Sequence, residues 1–520
     1  LRYYAGYIQD NFRVSPKLTL NLGLRYEWES GIADKNNAMI VGFDPNAVNP
    51  ISQNLSGTAV KGTLLYAGLN GNKTSVMDPS KTKFAPRFGM AYMLNDKTTI
   101  RGGYGLYWAP VSYGGYNPLG YTQITNLIGT TDGGRTAIAS LDNPFPNGFL
   151  KPVGNSLGAS VGLGQGVSYI DQNARSPYIH SFSVDMQRVL AKQIVLTTSY
   201  IGSRSRRLLI GTGSVNINQL SPDLFSLGST LYDSVANPFY GHGGTGIIGS
   251  ATITRAQSLY QFPQFGGIGR LFSDFNHSRY DAFVMKAERR FTGGLGVLTS
   301  WTWAKNMDAA YSVASNQNGG SGGPQNAYDL EREYSRALAD VTHRFTFGMN
   351  YEMPFGKGRK WLNQSRLLDY AVGGWELNAL STVQSGFPLA IIQSNYNGIM
   401  GMAVQRPNAT GAAPDSVAAD QLYGWINPKA YSLAPAYTFG NVSRVSNLRG
   451  PGQGNLDLSL FKAFTLYERL KGQFRAEVMN ATNSPAFGLP VTNFSASNFG
   501  QVTNQKNFPR LIQFGVRVLF

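Results

Sequence analysis

Leu511-Ile512-Gln513-Phe514-Gly515-Val516-Arg517-Val518-Leu519-Phe520 closes the chain, and its reading decides the fold. Ile512, Phe514, Val516, Val518 and Phe520 fall on one face; Gln513, Gly515 and Arg517 fall on the other. A period of two with one apolar and one polar side describes a strand lying between two different media. The same pattern is longer near the start. Leu18, Leu20, Leu22, Leu24, Tyr26 and Trp28 point one way, against Thr19, Asn21, Gly23, Arg25 and Glu27. At about 3.4 Å per residue such a strand spans roughly 37 Å, enough to cross an apolar band about 25 Å tall and leave Tyr26 and Trp28 at its edge. Phe345-Phe347-Met349-Tyr351 and Phe182-Val184-Met186 repeat the alternation, with Arg344, Thr346, Asn350 and Glu352, and Ser181, Ser183, Asp185 and Gln187, opposite.

Composition supports a wall exposed to lipid. Charged residues make up 14% of the 520 and aromatic ones 12%, with 61 Gly and no Cys; a soluble domain carries about 25% charged residues. No stretch approaches the 18 apolar residues of a membrane helix, a test that barrel strands escape. The formal charge is +16, but the basic residues are scattered and no run of five or more Lys or Arg occurs. Solvated loops, a basic lumen or lipopolysaccharide contacts explain this better than nucleic-acid binding, which is not expected.

Connections alternate between short and long. Ser15-Pro16-Lys17, Asn95-Asp96-Lys97, Ala191-Lys192-Gln193, Thr292-Gly293-Gly294 and Tyr467-Glu468-Arg469 are tight turns, Pro354 to Val372 is intermediate, and the loops near 30–83, 110–176, 203–277, 308–339, 388–452 and 483–508 are long. Short turns at one end and long loops at the other describe an outer-membrane barrel with periplasmic turns and extracellular loops. About thirteen strands are expected, near 1–14, 18–29, 84–94, 98–109, 178–190, 194–203, 279–291, 295–306, 341–353, 373–387, 455–466, 469–481 and 510–520. The predicted fold class is therefore all-β: an antiparallel transmembrane outer-membrane β-barrel domain over 1–520. Leu20, Leu22, Leu24, Phe345, Phe347, Phe514, Val516 and Val518 are expected to face lipid, and Arg25, Glu27, Arg344, Glu352 and Arg517 the lumen. Residue 1 is Leu and already lies in a strand, so the chain reads as the C-terminal portion of a barrel of about twenty-two strands, with an open or strained sheet or an artificial closure between its first and last strands.

The opening hairpin, Tyr4-Ala5-Gly6-Tyr7-Ile8-Gln9-Asp10-Asn11-Phe12-Arg13-Val14-Ser15-Pro16-Lys17-Leu18-Thr19-Leu20-Asn21-Leu22-Gly23-Leu24-Arg25-Tyr26-Glu27, resembles TonB-dependent receptors. Four further blocks resemble the Oar-like branch, whose members carry a carboxypeptidase-regulatory-like N-terminal domain. They are Ser199-Tyr200-Ile201-Gly202-Ser203-Arg204; Glu288-Arg289-Arg290-Phe291 with Trp301-Thr302-Trp303-Ala304-Lys305; His343-Arg344-Phe345 with Pro354-Phe355-Gly356-Lys357-Gly358; and Phe439-Gly440-Asn441-Val442 with Leu448-Arg449-Gly450-Pro451-Gly452 and Asp457-Leu458-Ser459-Leu460-Phe461-Lys462. The resemblance implies an outer-membrane receptor that imports a bulky nutrient, such as a glycan, peptide or metal chelate, driven by TonB through an N-terminal part with no counterpart here. It also makes Phe514, Val516, Val518 and Phe520 the strand that the barrel-assembly machinery reads. The competing reading is a passive porin or adhesin-like barrel without energy coupling.

Chemistry-bearing patterns are sparse. His180, His242, His277 and His343 lack metal-ligand spacing, no Ser/His/Asp set sits in an elbow-like context, and Gly162-Leu163-Gly164-Gln165-Gly166 and Gly450-Pro451-Gly452-Gln453-Gly454 lack the strand-then-helix context of a phosphate loop. No catalytic residue, metal or cofactor is expected. Two aromatic loop clusters are candidate ligand contacts: Trp108, Tyr113, Tyr116 and Tyr121, and Tyr423, Trp425 and Tyr431. Rigid aromatic faces stack on sugars or anchor partners at low entropic cost; the bland alternative is a membrane girdle or packing within the loops.

Overall fold

The computed structural model describes residues 1–520 except 58, 78, 111–116, 191–192, 209–213, 243–245, 310–322, 363–365, 416–421, 468–469 and 520, and except the side chains of 366–368, 466–467 and 519. Its wall is one antiparallel sheet of long strands in chain order: β1 (Tyr3–Ser15), β2 (Leu18–Glu29), β3 (Lys83–Asn95), β4 (Thr98–Trp108), β5 (Tyr178–Val189), β6 (Ile194–Leu208), β7 (Asn276–Thr292), β8 (Leu295–Asp308), β9 (His343–Glu352), β10 (Trp375–Gln384), β11 (Gln453–Tyr467), β12 (Leu470–Met479) and β13 (Leu511–Leu519). Every one falls where the alternation placed it. Local chemistry sets the turns. Gly293 and Gly294 between β7 and β8 hold φ of +60° and +81°, the pair of left-handed residues a tight hairpin demands. The connection from β9 to β10, read from the sequence only as intermediate in length, contains the helix Arg366–Val372.

Register carries one polar face across the whole sheet. Gly23 lies opposite Arg87, Arg87 opposite Gly105, Gly105 opposite Ser181, Ser181 opposite Ser203 and Ser203 opposite Tyr280. Further on, Ser300 meets Thr346, Thr346 meets Thr382 and Thr382 meets Asn455; Ser459 meets Glu477, which meets Gln513. Arg25, Glu27, Arg344, Glu352 and Arg517 share this face. Leu20, Leu22, Leu24, Phe345, Phe347, Phe514, Val516 and Val518 share the opposite one, because a strand sends successive side chains to opposite sides. The apolar face is open: Phe514 is 69% and Val516 73% exposed. Among the described residues β1 pairs only with β2, and β13 only with β12, so the sheet has two free edges.

The buried core lies elsewhere. Among the described residues, the buried apolar side chains of the wall are Ala85, Ala282 and Ala304; all the others belong to the long loops 30–82, 109–177, 209–275, 309–342 and 385–452, and the sixth loop, 480–510, packs the half-buried Leu489, Phe494 and Phe499 against them. These loops form a folded crown on one end of the sheet.

Candidate functional site: the crown and the polar face beneath it

The crown is assembled from short strands and long-range side-chain bonds. In the first loop the strand Ile40–Val48 pairs with Lys61–Tyr66. In the second, Val167–Ile170 lies parallel to Ile268–Leu271 of the third, which also pairs with Ser214–Asn216. Phe43, Tyr66, Tyr169, Phe262, Phe265 and Ile268 pack where these pieces meet. Gly62, at φ +97°, lets the Phe262 ring close in: a Cβ there would sit 2.5 Å from it. Asn218, fully buried, donates from Nδ2 to the carbonyls of Phe262, Phe265 and Gly266 at 3.0–3.1 Å, fixing the third loop on itself.

The loops are tied to one another in series. Gln172 Oε1 of the second loop accepts from the Phe43 N–H of the first at 2.9 Å, and Gln264 Nε2 of the third donates to the Lys61 carbonyl at 2.7 Å. The third meets the fourth through Gln219 Oε1, which accepts from the Ala327 N–H at 2.7 Å. The fifth and sixth are stitched by the N–H of Ile392 to Thr492 O, 3.1 Å, that of Phe494 to Ile392 O, 2.7 Å, and that of Trp425 to Gly500 O, 2.8 Å.

Between the fourth and fifth loops the fastening is ionic. Arg406 grips Glu333 with two bonds, Nη1 to Oε2 at 2.7 Å and Nη2 to Oε1 at 3.0 Å, and both side chains are buried. Arg444 donates to Asp308 Oδ1 at 2.5 Å and to the Glu333 carbonyl at 2.8 Å. Asp340 receives Arg449 and, at 3.0 Å, Arg336. A forked guanidinium on a carboxylate is the geometry that makes a buried charge tolerable. Sequence reading missed this set, since Arg406–Glu333, Arg449–Asp340 and Arg444–Asp308 join positions 73, 109 and 136 apart and their loops carry no period; the resemblance quoted Arg449 only as part of a block.

Beneath the crown, the polar face is grooved. One groove of about 860 Å³ is lined by Lys286, Glu288, Asn350, Asn378, Asp457 and Glu477 among others; another, of about 560 Å³, by Gln9, Asn21, Arg87, Ser183 and Asp185 among others. At its junction with the crown, Lys83 and Glu29 form a buried pair. Among the described residues no three His, Asp or Glu gather closely enough to hold a metal ion.

The aromatic candidates separate. Trp108 ends β4 on the apolar face, its ring 5.1 Å from Tyr178 and its Nε1 donating to the Phe84 carbonyl at 2.9 Å, beside the Tyr26–Phe84 pair at 5.0 Å. Tyr121 stands edge-on to Tyr66 at 5.8 Å, against the first core cluster. Trp425 and Tyr431 share another cluster with Phe494 and Phe499, and Trp425 Nε1 donates to the Arg449 carbonyl at 2.7 Å. Tyr423 is 73% exposed. Tyr113 and Tyr116, like Phe520, lie outside the described residues. The histidines are dispersed: Nδ1 of His180 bonds the Tyr104 hydroxyl at 2.8 Å, His277 stacks on Tyr334, His343 stacks beside Trp301, and His242 is exposed.

Comparison with known proteins gives these features a place. The outer membrane beta barrel domain family matches residues 1–513. No curated protein matches the sequence. Among solved structures the chain is similar to the outer membrane transporter YddB from Escherichia coli, at 11% identity and a TM-score of 0.44 over 99% of this chain and 44% of that one. It is similar to the siderophore receptor PirA from Acinetobacter baumannii, at 9% identity and 0.41 over 99% and 45%. The pyoverdine outer membrane receptor FpvA from Pseudomonas aeruginosa gives 9% and 0.40 over 100% and 42%. The chain spans less than half the length of these receptors. With the family match running through all but the last seven residues of an antiparallel sheet that has one apolar and one polar face, the chain belongs to the outer membrane beta barrel domain family and is a protein of the outer membrane.

Proposed function

We propose that the chain is part of the barrel of a TonB-dependent receptor of the Oar-like branch, importing a bulky nutrient such as a glycan, peptide or metal chelate. The crown faces outward and the polar face lines the lumen. The supporting observation is the pairing of these two parts: a folded cover of six mutually bonded loops above a grooved polar wall. A passive pore needs an unobstructed lumen, whereas a receptor needs a shaped outer surface that recognises and a lumen that can be gated. The two free sheet edges, which cost several kcal/mol per unpaired group in lipid, support a barrel completed by further strands. Phe514, Val516, Val518 and Phe520 are proposed as the strand read by the assembly machinery. Among the candidates within the described residues Tyr423 has the most open ring; Trp108, Tyr113, Tyr116, Tyr121, Trp425 and Tyr431 complete the proposed set.

The test is uptake by cells carrying the whole gene. Radiolabelled ferric siderophores, oligosaccharides and peptides are offered to cells with and without TonB. Uptake of one class that stops without TonB is the expected result. Uptake that persists without TonB would replace this reading with a passive pore.

A further inference from the structure

On the apolar face, cross-strand rows over β5 to β8 change in chemistry from one level to the next. One row reads Val184, Tyr200, Phe283 and Trp303. The next toward the crown reads Phe182, Gly202, Asp281 and Lys305, and the one beyond it His180, Arg204, Arg279 and Met307. Arg206 follows, opposite Tyr178, and the Arg207 guanidinium lies 5.4 Å from the centre of the Tyr178 ring. Aromatic side chains thus give way to cations within two to four residues, about 7 to 14 Å along a strand, which matches the passage from hydrocarbon through the headgroup layer.

Asp281 is the only carboxylate on the apolar face of these four strands, and it is fully engaged. Arg204 Nη2 and the Tyr200 hydroxyl donate to its Oδ1 at 2.7 and 2.6 Å, and Arg279 Nε to its Oδ2 at 2.6 Å. Arg204 also lies 5.5 Å from the Phe182 ring. Five cations, Arg204, Arg206, Arg207, Arg279 and Lys305, therefore share this patch with one carboxylate. Arg206 and Lys305 are exposed and make no ion pair among the described residues. Tyr334, stacked on His277 at 4.4 Å, senses the same field: burial pushes its hydroxyl up, while Arg279, Arg206 and Arg204 pull it back down. Such a charge excess beside lipid is unfavourable unless lipid-borne anions meet it.

We propose that this patch is a binding site for the phosphate groups of the outer-leaflet glycolipid, with Arg206 and Lys305 as its free cations and Asp281 holding Arg204 and Arg279 in place beside them. The cations take the phosphates, and the aromatic row below them lies beside the first carbons of the acyl chains. From the import reading the proposal takes only the outward orientation of the crown, and its test does not involve transport.

The protein is purified from outer membranes in mild detergent. Retained lipid A is counted by native mass spectrometry and then titrated back, either bisphosphorylated or dephosphorylated. R206A/K305A should weaken binding of bisphosphorylated lipid A roughly 25-fold, about fivefold for each basic residue removed beside an anionic surface. R87A/R101A, on the polar face, should leave it unchanged, and both variants should remain heat-modifiable. Dephosphorylated lipid A should bind the unaltered protein about as weakly as the phosphorylated form binds R206A/K305A. Equal binding of the two lipids, or full retention by R206A/K305A, overturns the proposal. So does displacement of the lipid by millimolar inorganic phosphate alone, which would identify a site for a soluble anion.

Discussion

In the wall large apolar side chains stand open along one face of the sheet; in the crown another set of them is packed into cores. Val516 and Phe514 stand 73% and 69% exposed on β13, while Phe262, Phe265 and Tyr66 are at most 1% exposed beneath the loops. The same residue types follow opposite rules because the two regions meet different solvents. Against lipid, an outward Leu or Phe needs no cover, and the strands are held by backbone hydrogen bonds that have no water to compete for them. Against water, a loop of some 50 residues must build its own core or stay unfolded. The crown therefore behaves as a water-soluble β-domain carried on a membrane sheet, and the two parts should fail separately.

The largest expected failure is in the crown. Arg406→Ala leaves Glu333 charged, buried and unpaired, at a cost of about 3–5 kcal/mol. The loops 309–342 and 385–452 should become protease-sensitive while the wall keeps its heat-modifiability on gels. Replacing both partners at once, R406M/E333Q, should recover much of the loss, because no lone charge remains. If Arg406→Ala abolished the folded wall as well, the two regions would be one cooperative unit and the comparison would fall.

A smaller loss, of opposite character, is expected in the wall. Val516→Arg should cost about 2–4 kcal/mol if the residue lies near the bilayer midplane, falling toward zero at an interface. Gln513→Ala, on the polar face of the same strand, should be nearly neutral. The measurement is the folded protein recovered in the outer-membrane fraction of the whole gene product. Equal recovery for both would show that the apolar face of β13 does not meet hydrocarbon.

These two tests also mark what the sequence could show. The wall was legible because one local rule, period two, is repeated in thirteen strands and fixed by tight turns such as Thr292-Gly293-Gly294. Even the facing of Arg25, Arg344 and Arg517 follows from it. The crown obeys no local rule. Phe43 packs edge-on to Phe262 at 5.0 Å, and Gln264 bonds Lys61 across 203 positions. Nothing near any of these residues announces its partner. The aromatic candidates show the same divide. Trp108 sits at the end of a legible strand, so its place on the apolar face could be anticipated. Tyr121, Trp425 and Tyr431 sit in loops, where an aromatic that packs and one that binds look alike.

Alkali should separate the regions through tyrosine. Burial pushes the hydroxyls of Tyr66, Tyr169, Tyr260 and Tyr431 up to about 12, and all four belong to the crown. A folded-state value above the unfolded value of about 10 means that the fold favours the protonated phenol. That stabilisation is complete below pH 10 and is lost as pH rises toward 12. Absorbance at 295 nm should show a late-titrating class of tyrosines, and protease sensitivity of the crown should appear over the same interval. Complete ionisation by pH 10.5 without loss of crown resistance would mean that these rings are not buried.

The smallest effect sharpens the comparison inside a single loop. Tyr423 and Tyr431 are eight positions apart and indistinguishable by residue type. Tyr431 is 8% exposed, with its ring 5.9 Å from Phe499 and 6.0 Å from Phe494; Tyr423 is 73% exposed. Tyr431→Ala should therefore cost about 3 kcal/mol, as for other buried aromatic truncations, and loosen the fifth and sixth loops together, since its ring touches both. Tyr423→Ala should change stability by less than about 0.5 kcal/mol. An exposed ring that contributes little to stability is free to serve recognition, so its removal should be read in uptake rather than in folding. Once a TonB-dependent substrate is found, Tyr423→Ala should weaken its capture while leaving the protease resistance of the crown intact. Unchanged capture would remove Tyr423 from the candidate contacts without touching the account of the crown. A loss of crown stability equal to that of Tyr431→Ala would show that the ring is buried and that its exposure had been misjudged.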